Sequence, residues 1–147
     1  MASVSPQAAV TVERRVEWHD TDAAGHHHNS AILRWVEDAE AELLRRLGLD
    51  WLFGRTPRVR HEVDYLGRLW FGDPIQTRVH IANLGRTSIR FEFEVTGPTG
   101  PAARGVVVAV HALPGESSAS PWPPQVSATI AVARAGNSSS DASSSGG

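Results

Sequence analysis

The sequence predicts an α+β domain in which a five-stranded, mostly antiparallel sheet wraps around one long central helix. Residues 30–47 repeat apolar side chains at helical spacing for about five turns. One segment before that helix and four after it alternate with a period close to two, the spacing of half-buried strands. Leu33 and Leu44 widen the helix's apolar face beyond a single stripe, so a curved sheet is needed to cover it. A chain of 147 residues with 41% hydrophobic content has room for one core and not for two.

The elements follow in order. Residues 9–18 place Val10, Val12, Val16 and Trp18 on one face, with Arg14 as the flaw in the pattern. In the helix, Ile32, Trp35, Val36, Ala39, Leu43 and Leu47 form the buried stripe, opposite Arg34, Asp38, Glu42 and Arg45. Asn29 or Ser30 is expected to cap its start, and Gly48 to end it in the left-handed conformation that suits glycine. Residues 58–66 alternate Val59, His61, Val63 and Tyr65, and residues 75–84 alternate Ile75, Thr77, Val79 and Ile81. Residues 87–96 set Ile89, Phe91, Phe93 and Val95 against Arg90, Glu92 and Glu94. The apolar run within 104–113 reads as a strand covered on both faces. Asp73-Pro74 and residues 97–101 supply turns. Residues 114–124 are too rich in proline and serine for regular structure, although Trp122, Val126, Ile130 and Val132 can dock on the body. The domain is expected to span 1–134, followed by a disordered Ser/Gly-rich tail over 135–147 that has nothing to bury.

The formal charge of −2 offers no general attraction to nucleic acid or anionic membrane. The absence of cysteine removes disulfides, thiolate metal sites and cysteine nucleophiles, and the absence of lysine removes Schiff-base chemistry. No apolar run approaches the roughly 18 residues of a membrane span, and the N-terminus does not read as a secretion signal, so a cytoplasmic location is expected.

The stretch 18–35, WHDTDAAGHHHNSAILRW, gathers two aspartates and four of the seven histidines where a strand gives way to the helix. The first turn of a helix carries unpaired N–H groups and partial positive charge, suited to polarising a carbonyl or receiving an oxyanion. Asp22 is far enough before Asn29, with Gly25 between them, for its carboxylate to turn back toward that helix end. The same spacing also fits an Asx turn or a remote cap, and spacing alone does not choose.

The string DTDAAG followed by a helix containing LRWVEDAEAELLRRLGL resembles the signature of the 4-hydroxybenzoyl-coenzyme A thioesterase family of hotdog-fold proteins. VDYLGRLWFGDPIQTRVHIANLGRTSIRFEFEV resembles that family's second to fourth strands, with its turns at Gly72-Asp73 and Gly85–Ser88, and WPPQVSATI resembles its ending. The likeness runs in order over about residues 10–132. It implies a thioesterase acting on an acyl or aroyl thioester of coenzyme A or of an acyl carrier protein, in a polyketide or other specialised-metabolite pathway. By that resemblance Asp22 is the catalytic carboxylate, as nucleophile or general base, Asp20 its structural partner, and Asn29 the residue whose backbone N–H polarises the carbonyl. Gly25, His26, His27, His28, Ser30 and Tyr65 are expected to contact substrate. So are Arg86, Thr87 and Ser88, in a turn whose arginine suits a phosphate. Coenzyme A or phosphopantetheine would enter as part of the substrate, with no separate cofactor. The family also implies a homodimer or homotetramer with the active site between subunits, and residues 106–110 and the alternate face of 87–95 are the interface candidates.

Other readings compete. Three consecutive histidines do not converge on one ion, so no metal site is expected. His61 and His111 read as core or interface residues, and Glu37 and Glu40 as ordinary helix-surface residues. Arg58, Arg60, Arg68 and Arg90 share the phosphate-binding chemistry of Arg86. Trp18, Ile32, Trp35 and Tyr65 are candidates for the acyl pocket. Burial beside Trp18 would raise the Asp22 pKa, and the helix end would lower it. The alternative function keeps the fold and changes the task, to a dehydratase, an isomerase or an acyl-thioester-binding protein without turnover.

Overall fold

The computed structural model describes residues 7–144, the side chains of 137–144 excepted. Its elements are β1 (Ala9–Arg15), α1 (Asn29–Arg46), β2 (Arg58–Tyr65), β3 (Pro74–Leu84), β4 (Ser88–Gly97), β5 (Gly100–Val110) and α2 (Pro124–Ser144). The strands form one sheet in the order β1-β3-β4-β5-β2, every pair antiparallel. A five-stranded antiparallel sheet with one long helix is what the periodicity leads one to expect, while the strand order comes from the structure alone; helix α1 packs across β1 and β3. Among the described residues no helix is long and apolar enough to cross a membrane.

The register explains how the sheet accepts a helix. Val10, Val79, Phe93, Gly105 and Val63 form one cross-strand row, and Val12, Thr77, Val95, Ala103 and Tyr65 another. Against these rows α1 buries Ala31, Ile32, Trp35, Val36, Ala39, Leu43 and Leu44. Gly48, at φ 71°, then turns the chain away from the helix, a conformation costly for any residue with a Cβ. Arg14 proves to be no flaw: it reaches across to Asp38 on α1 at 2.8 Å.

Several boundaries differ from expectation. α1 begins at Asn29 with His28 as the N-cap residue, and no side chain caps it, so neither Asn29 nor Ser30 serves that role. β1 stops at Arg15, and residues 18–20 form a 3-10 turn that leaves Trp18 72% exposed against Phe71. β5 starts earlier than expected, at Gly100, and lies between β4 and β2. Its edge is therefore taken, and only the outer face of 106–110 remains open for an interface. In the last segment Trp122, Val126, Ile130 and Ala133 are buried and Val132 is exposed, because the docked chain is helical and its inward positions recur at three and four residues. The stretch 135–147, expected without order, continues this helix to Ser144, and its last three residues lie outside the described ones.

Phe93 packs over the row position held by Gly105, where an added Cβ would stand 2.9 Å from the Phe93 ring and 1.9 Å from the Glu62 carbonyl oxygen. Gly105→Ala should therefore push β2 away from β5 and cost about 1–3 kcal/mol. A lowered urea midpoint checks this, and an unchanged one contradicts it.

Candidate active site

The two aspartates of the DTD string fold to opposite fates. Asp20 is buried: its Oδ2 accepts from the Glu17 amide at 2.9 Å and its Oδ1 from Arg34 at 2.8 Å. Its backbone oxygen accepts from the His28 amide at 2.7 Å, so it ties the entering loop to the first turn of α1. Burial pushes the Asp20 carboxyl up, but the Glu17 amide, Arg34 and His19 together hold it below the ordinary carboxylate value.

Asp22 starts the tight turn that follows. The Ala24 amide donates to its Oδ1 at 2.7 Å and the Gly25 amide to its carbonyl at 3.0 Å, so the Asx turn anticipated from spacing is present. Gly25 completes it at φ 88°, with Trp70 packed close behind. The chain then runs back through His26 and His27 beside Trp70 and Leu69. Asp22 Oδ2 is left facing His26 Nδ1 at 3.5 Å, with the side chain about a third exposed. The Ala24 amide, desolvation notwithstanding, and then His26 and His28 hold its carboxyl below the ordinary value. The expectation that Trp18 raises it is corrected, since Trp18 points to solvent.

A cleft of about 530 Å³ is lined by Asp22, His26, His27, His28, Asn29, Tyr65, Leu66, Gly67 and Arg68. The structure thus brings together seven of the residues singled out in the sequence, contributed by the loop, the start of α1, the end of β2 and the loop after it. The Asn29 amide is in the first turn of α1, where no intrahelical acceptor exists for it, and it donates to no acceptor among the described residues. Gly25 shapes the turn and Ser30 follows Asn29, and neither lines the cleft.

The histidines differ from one another. His27 is buried, and its Nδ1 accepts from the Leu69 amide at 3.1 Å, which assigns the ring hydrogen of the neutral form to Nε2. Desolvation holds its pKa down. His26 packs edge-on against Trp70, and His28 carries the N-cap backbone.

Other expected contacts lie elsewhere. Ile32 and Trp35 are core residues outside the cleft. Arg86, Thr87 and Ser88 sit at the far end of the sheet, where Trp122 donates to the Arg86 and Ser88 carbonyls. Ser88 pairs with Val110 and Tyr65 with Ala103, a separation along β5 on the order of 23 Å. Within one chain, the arginine that reaches the cleft is Arg68, in the loop after β2. His111 is buried and stacked on Trp122, and His61 is exposed. Glu40, read from sequence as a surface residue, is only 2% exposed and is bonded to Arg58. Its helix position is inward-facing, a fact that its charge conceals.

A residue with a carboxylate and a residue with an unpaired helix-start amide thus border one cleft, and such parts suit attack on a carbonyl. The sequence model of the thioesterase-like superfamily matches residues 16–130. The chain belongs to that family. No curated protein sequence gives a match. Among solved structures, this member of the thioesterase-like superfamily is similar to a thioesterase from Thermus thermophilus complexed with coenzyme A and zinc. The two are 32% identical, with 85% of this chain and 93% of that one covered and a TM-score of 0.78. It is also similar to a gentisyl-coenzyme A thioesterase, at 25% identity over 83% of this chain and 99% of that one, TM-score 0.73. A mutant 4-hydroxybenzoyl CoA thioesterase complexed with 4-hydroxybenzoyl CoA shares the fold, at 19% identity, 84% and 99% coverage and TM-score 0.75. The hotdog architecture and the family expected from the sequence are thus established.

Because the Asp20 carboxyl is held below 3.8, the native state takes up its proton at lower pH than the unfolded chain does. Its stabilisation is complete above about pH 4 and drains away as the pH falls through the native value. Denaturant melts from about pH 6 down to about pH 2 should show a steeper loss for the wild type than for Asp20→Asn; parallel profiles would contradict the anchoring role.

Proposed function

We propose that the chain is a thioesterase that hydrolyses an acyl or aroyl thioester carried on coenzyme A or on the phosphopantetheine of an acyl carrier protein. The observation behind this is that Asp22 lines one cleft with Asn29, a residue whose backbone amide has no acceptor among the described residues. A thioester carbonyl placed there would have its oxygen toward the first turn of α1 and its carbon toward Asp22 Oδ2. The helix end stabilises the negative charge that develops on that oxygen. The thiolate is a good leaving group and needs no strong general acid.

With its carboxyl held below the ordinary value, Asp22 is an anion at neutral pH, able to attack the carbonyl directly or to draw a proton from water, and direct attack is the path with fewer parts. In that path an Asp22 oxygen bonds to the carbonyl carbon and the C–S bond breaks. The thiolate departs, and water then hydrolyses the mixed anhydride to the product acid and the Asp22 carboxylate, the released proton going to the thiolate to give the free thiol. Tyr65, His26 and His28 would border the acyl group, and Arg68 would meet the phosphate-bearing arm.

The edges of the sheet supply the second half of the proposal. β2 is an edge strand with Val59, His61 and Tyr65 exposed, and an edge of this kind invites pairing with a second copy. Antiparallel β2 pairing would lay the Arg58 end of one copy beside the Tyr65 end of the other. It would also turn the partner's Arg86–Ser88 end of the sheet toward the Asp22 cleft. A homodimer, alone or doubled into a tetramer, is the form in which that turn could take part in binding.

Free-thiol release from a panel of acyl thioesters tests the reaction. Asp22→Asn should lower the rate by about 10³-fold or more with an unchanged circular dichroism spectrum. Undiminished release by that variant would remove Asp22 from the mechanism. Light scattering at micromolar concentration should give the mass of a dimer or tetramer, and a monomer would contradict the edge-pairing proposal.

A further inference from the structure

Direct attack by Asp22 leaves the second half of the reaction without a base. While the acyl group sits on Oδ2 that carboxylate is tied up, so the group that draws a proton from the incoming water comes from elsewhere in the cleft. Phenols and guanidinium groups hold their protons near neutral pH, which sets aside Tyr65 and Arg68. His27 is buried, and its Nδ1 is occupied by the Leu69 amide. Exposed His28 acts on the Asp22 carboxylate more weakly than His26 does.

His26 is held beside Asp22 by its backbone and by its ring. Across the turn the Asp22 amide donates to the His26 carbonyl at 2.9 Å, and His26 pairs with Trp70 in an isolated β-bridge. The imidazole stands at 90° to the Trp70 indole with ring centroids 5.7 Å apart, and the side chain is 29% exposed. In that pose Nδ1 lies 3.5 Å from Asp22 Oδ2, the oxygen that the Ala24 amide does not hold. A carbon bonded to Oδ2 would stand within about 5 Å of Nδ1, a gap that one water molecule bridges. Among the described residues no hydrogen bond reaches His26 Nε2, so the neutral ring can keep its proton there and offer a bare Nδ1.

The geometry points to His26 as the general base that activates the water hydrolysing the acyl–Asp22 anhydride. One O–H bond of that water breaks and its proton passes to Nδ1. The hydroxyl oxygen bonds to the acyl carbon, the bond from that carbon to Oδ2 breaks, and its electron pair returns to Asp22 as carboxylate. The imidazolium then gives its proton to the departed thiolate, which leaves as free thiol, and both side chains regain their starting states. Imidazole suits the task because it takes up and releases a proton near neutral pH. Acylation removes the negative charge beside Nδ1, which favours the neutral ring at the moment a base is needed, and the returning carboxylate then stabilises the imidazolium. This role rests on the direct-attack path proposed above.

The test follows free-thiol release from the first milliseconds after mixing with acetyl-, hexanoyl-, decanoyl- or benzoyl-coenzyme A, and continues with the thioester that the wild type turns over fastest. His26→Asn keeps a hydrogen-bonding group near the position of Nδ1 without the ability to take up a proton, and His26→Gln does so near Nε2. The side chain is part-exposed, so neither change empties the core, and circular dichroism checks that both variants fold. In each, Asp22 still attacks but the anhydride is slow to break down. A burst of about one thiol per chain should therefore precede a steady rate about 10²-fold below that of the wild type, the scale of one general base. Asp22→Asn should give no burst. Wild-type steady turnover in the His26 variants, or slowed turnover without a burst, would overturn the role of His26 and leave that of Asp22 standing. Undiminished release by Asp22→Asn, or no release from any of the four thioesters by the wild type, would overturn the underlying hydrolysis reading and this role with it.

Discussion

The burial of Asp20 is the constraint on which the rest of the site depends. Its carboxylate is held by the Glu17 amide and Arg34, and its carbonyl accepts from the His28 amide. That combination fixes the point at which the loop becomes helix. It satisfies the His28 amide and leaves the next one, on Asn29, unpaired at a positively polarised helix end. Two residues beyond Asp20 the second aspartate gives one carboxylate oxygen to the turn that it starts and keeps the other beside His26, and that turn carries it back to the same place. The motif therefore works as a unit in which one carboxylate builds the geometry and the other is left available.

The sheet does for the helix what the Asp20 loop does for its start. Rows running from Val10 to Val63 and from Val12 to Tyr65 give α1 a concave apolar surface, with small residues at Gly105 and Ala103 where the rows approach β2. Tyr65 ends the second row, half exposed, and so becomes a wall of the cleft. One side of α1 lies on the sheet, its other side carries Arg34, Glu37, Asp38, Arg45 and Arg46 to solvent, and its first residue borders the cleft. Further along the same helix Glu40 breaks the apolar stripe and is held by Arg58.

The fold was largely legible in the sequence because both of its periodicities are strong. The 3.6-residue stripe from Ile32 to Leu47 and the alternation of Ile89, Phe91, Phe93 and Val95 leave little choice of element type. The site was legible only in part. Asp22, Asn29, Tyr65 and the three histidines are local to one loop or one strand end, and they converge in the structure. Arg86 depends on which end of the sheet the cleft occupies, a property of strand register that no local pattern carries, and within one chain its place in the cleft goes to Arg68. Trp18 misled because a 3-10 turn after β1 rotates it outward, and hydrophobicity alone does not record that rotation. Glu40 misled in the opposite sense: its spacing is that of the buried stripe, while its charge argues for the surface. Arg58, eighteen residues later, is the partner that makes its burial tolerable.

The central claim is that the backbone N–H of Asn29, and not its side chain, activates the carbonyl that Asp22 meets. Proline at the first helical position keeps the helix while deleting that one donor, and the extended His28 backbone, at φ −71° and ψ 143°, already suits a residue before proline. Steady-state thioester hydrolysis by Asn29→Pro and Asn29→Ala separates the two groups. The account predicts a fall in kcat of about 10²–10³-fold for Asn29→Pro, the cost of losing one oxyanion donor, and near wild-type turnover for Asn29→Ala. Full activity in a folded Asn29→Pro chain would contradict it.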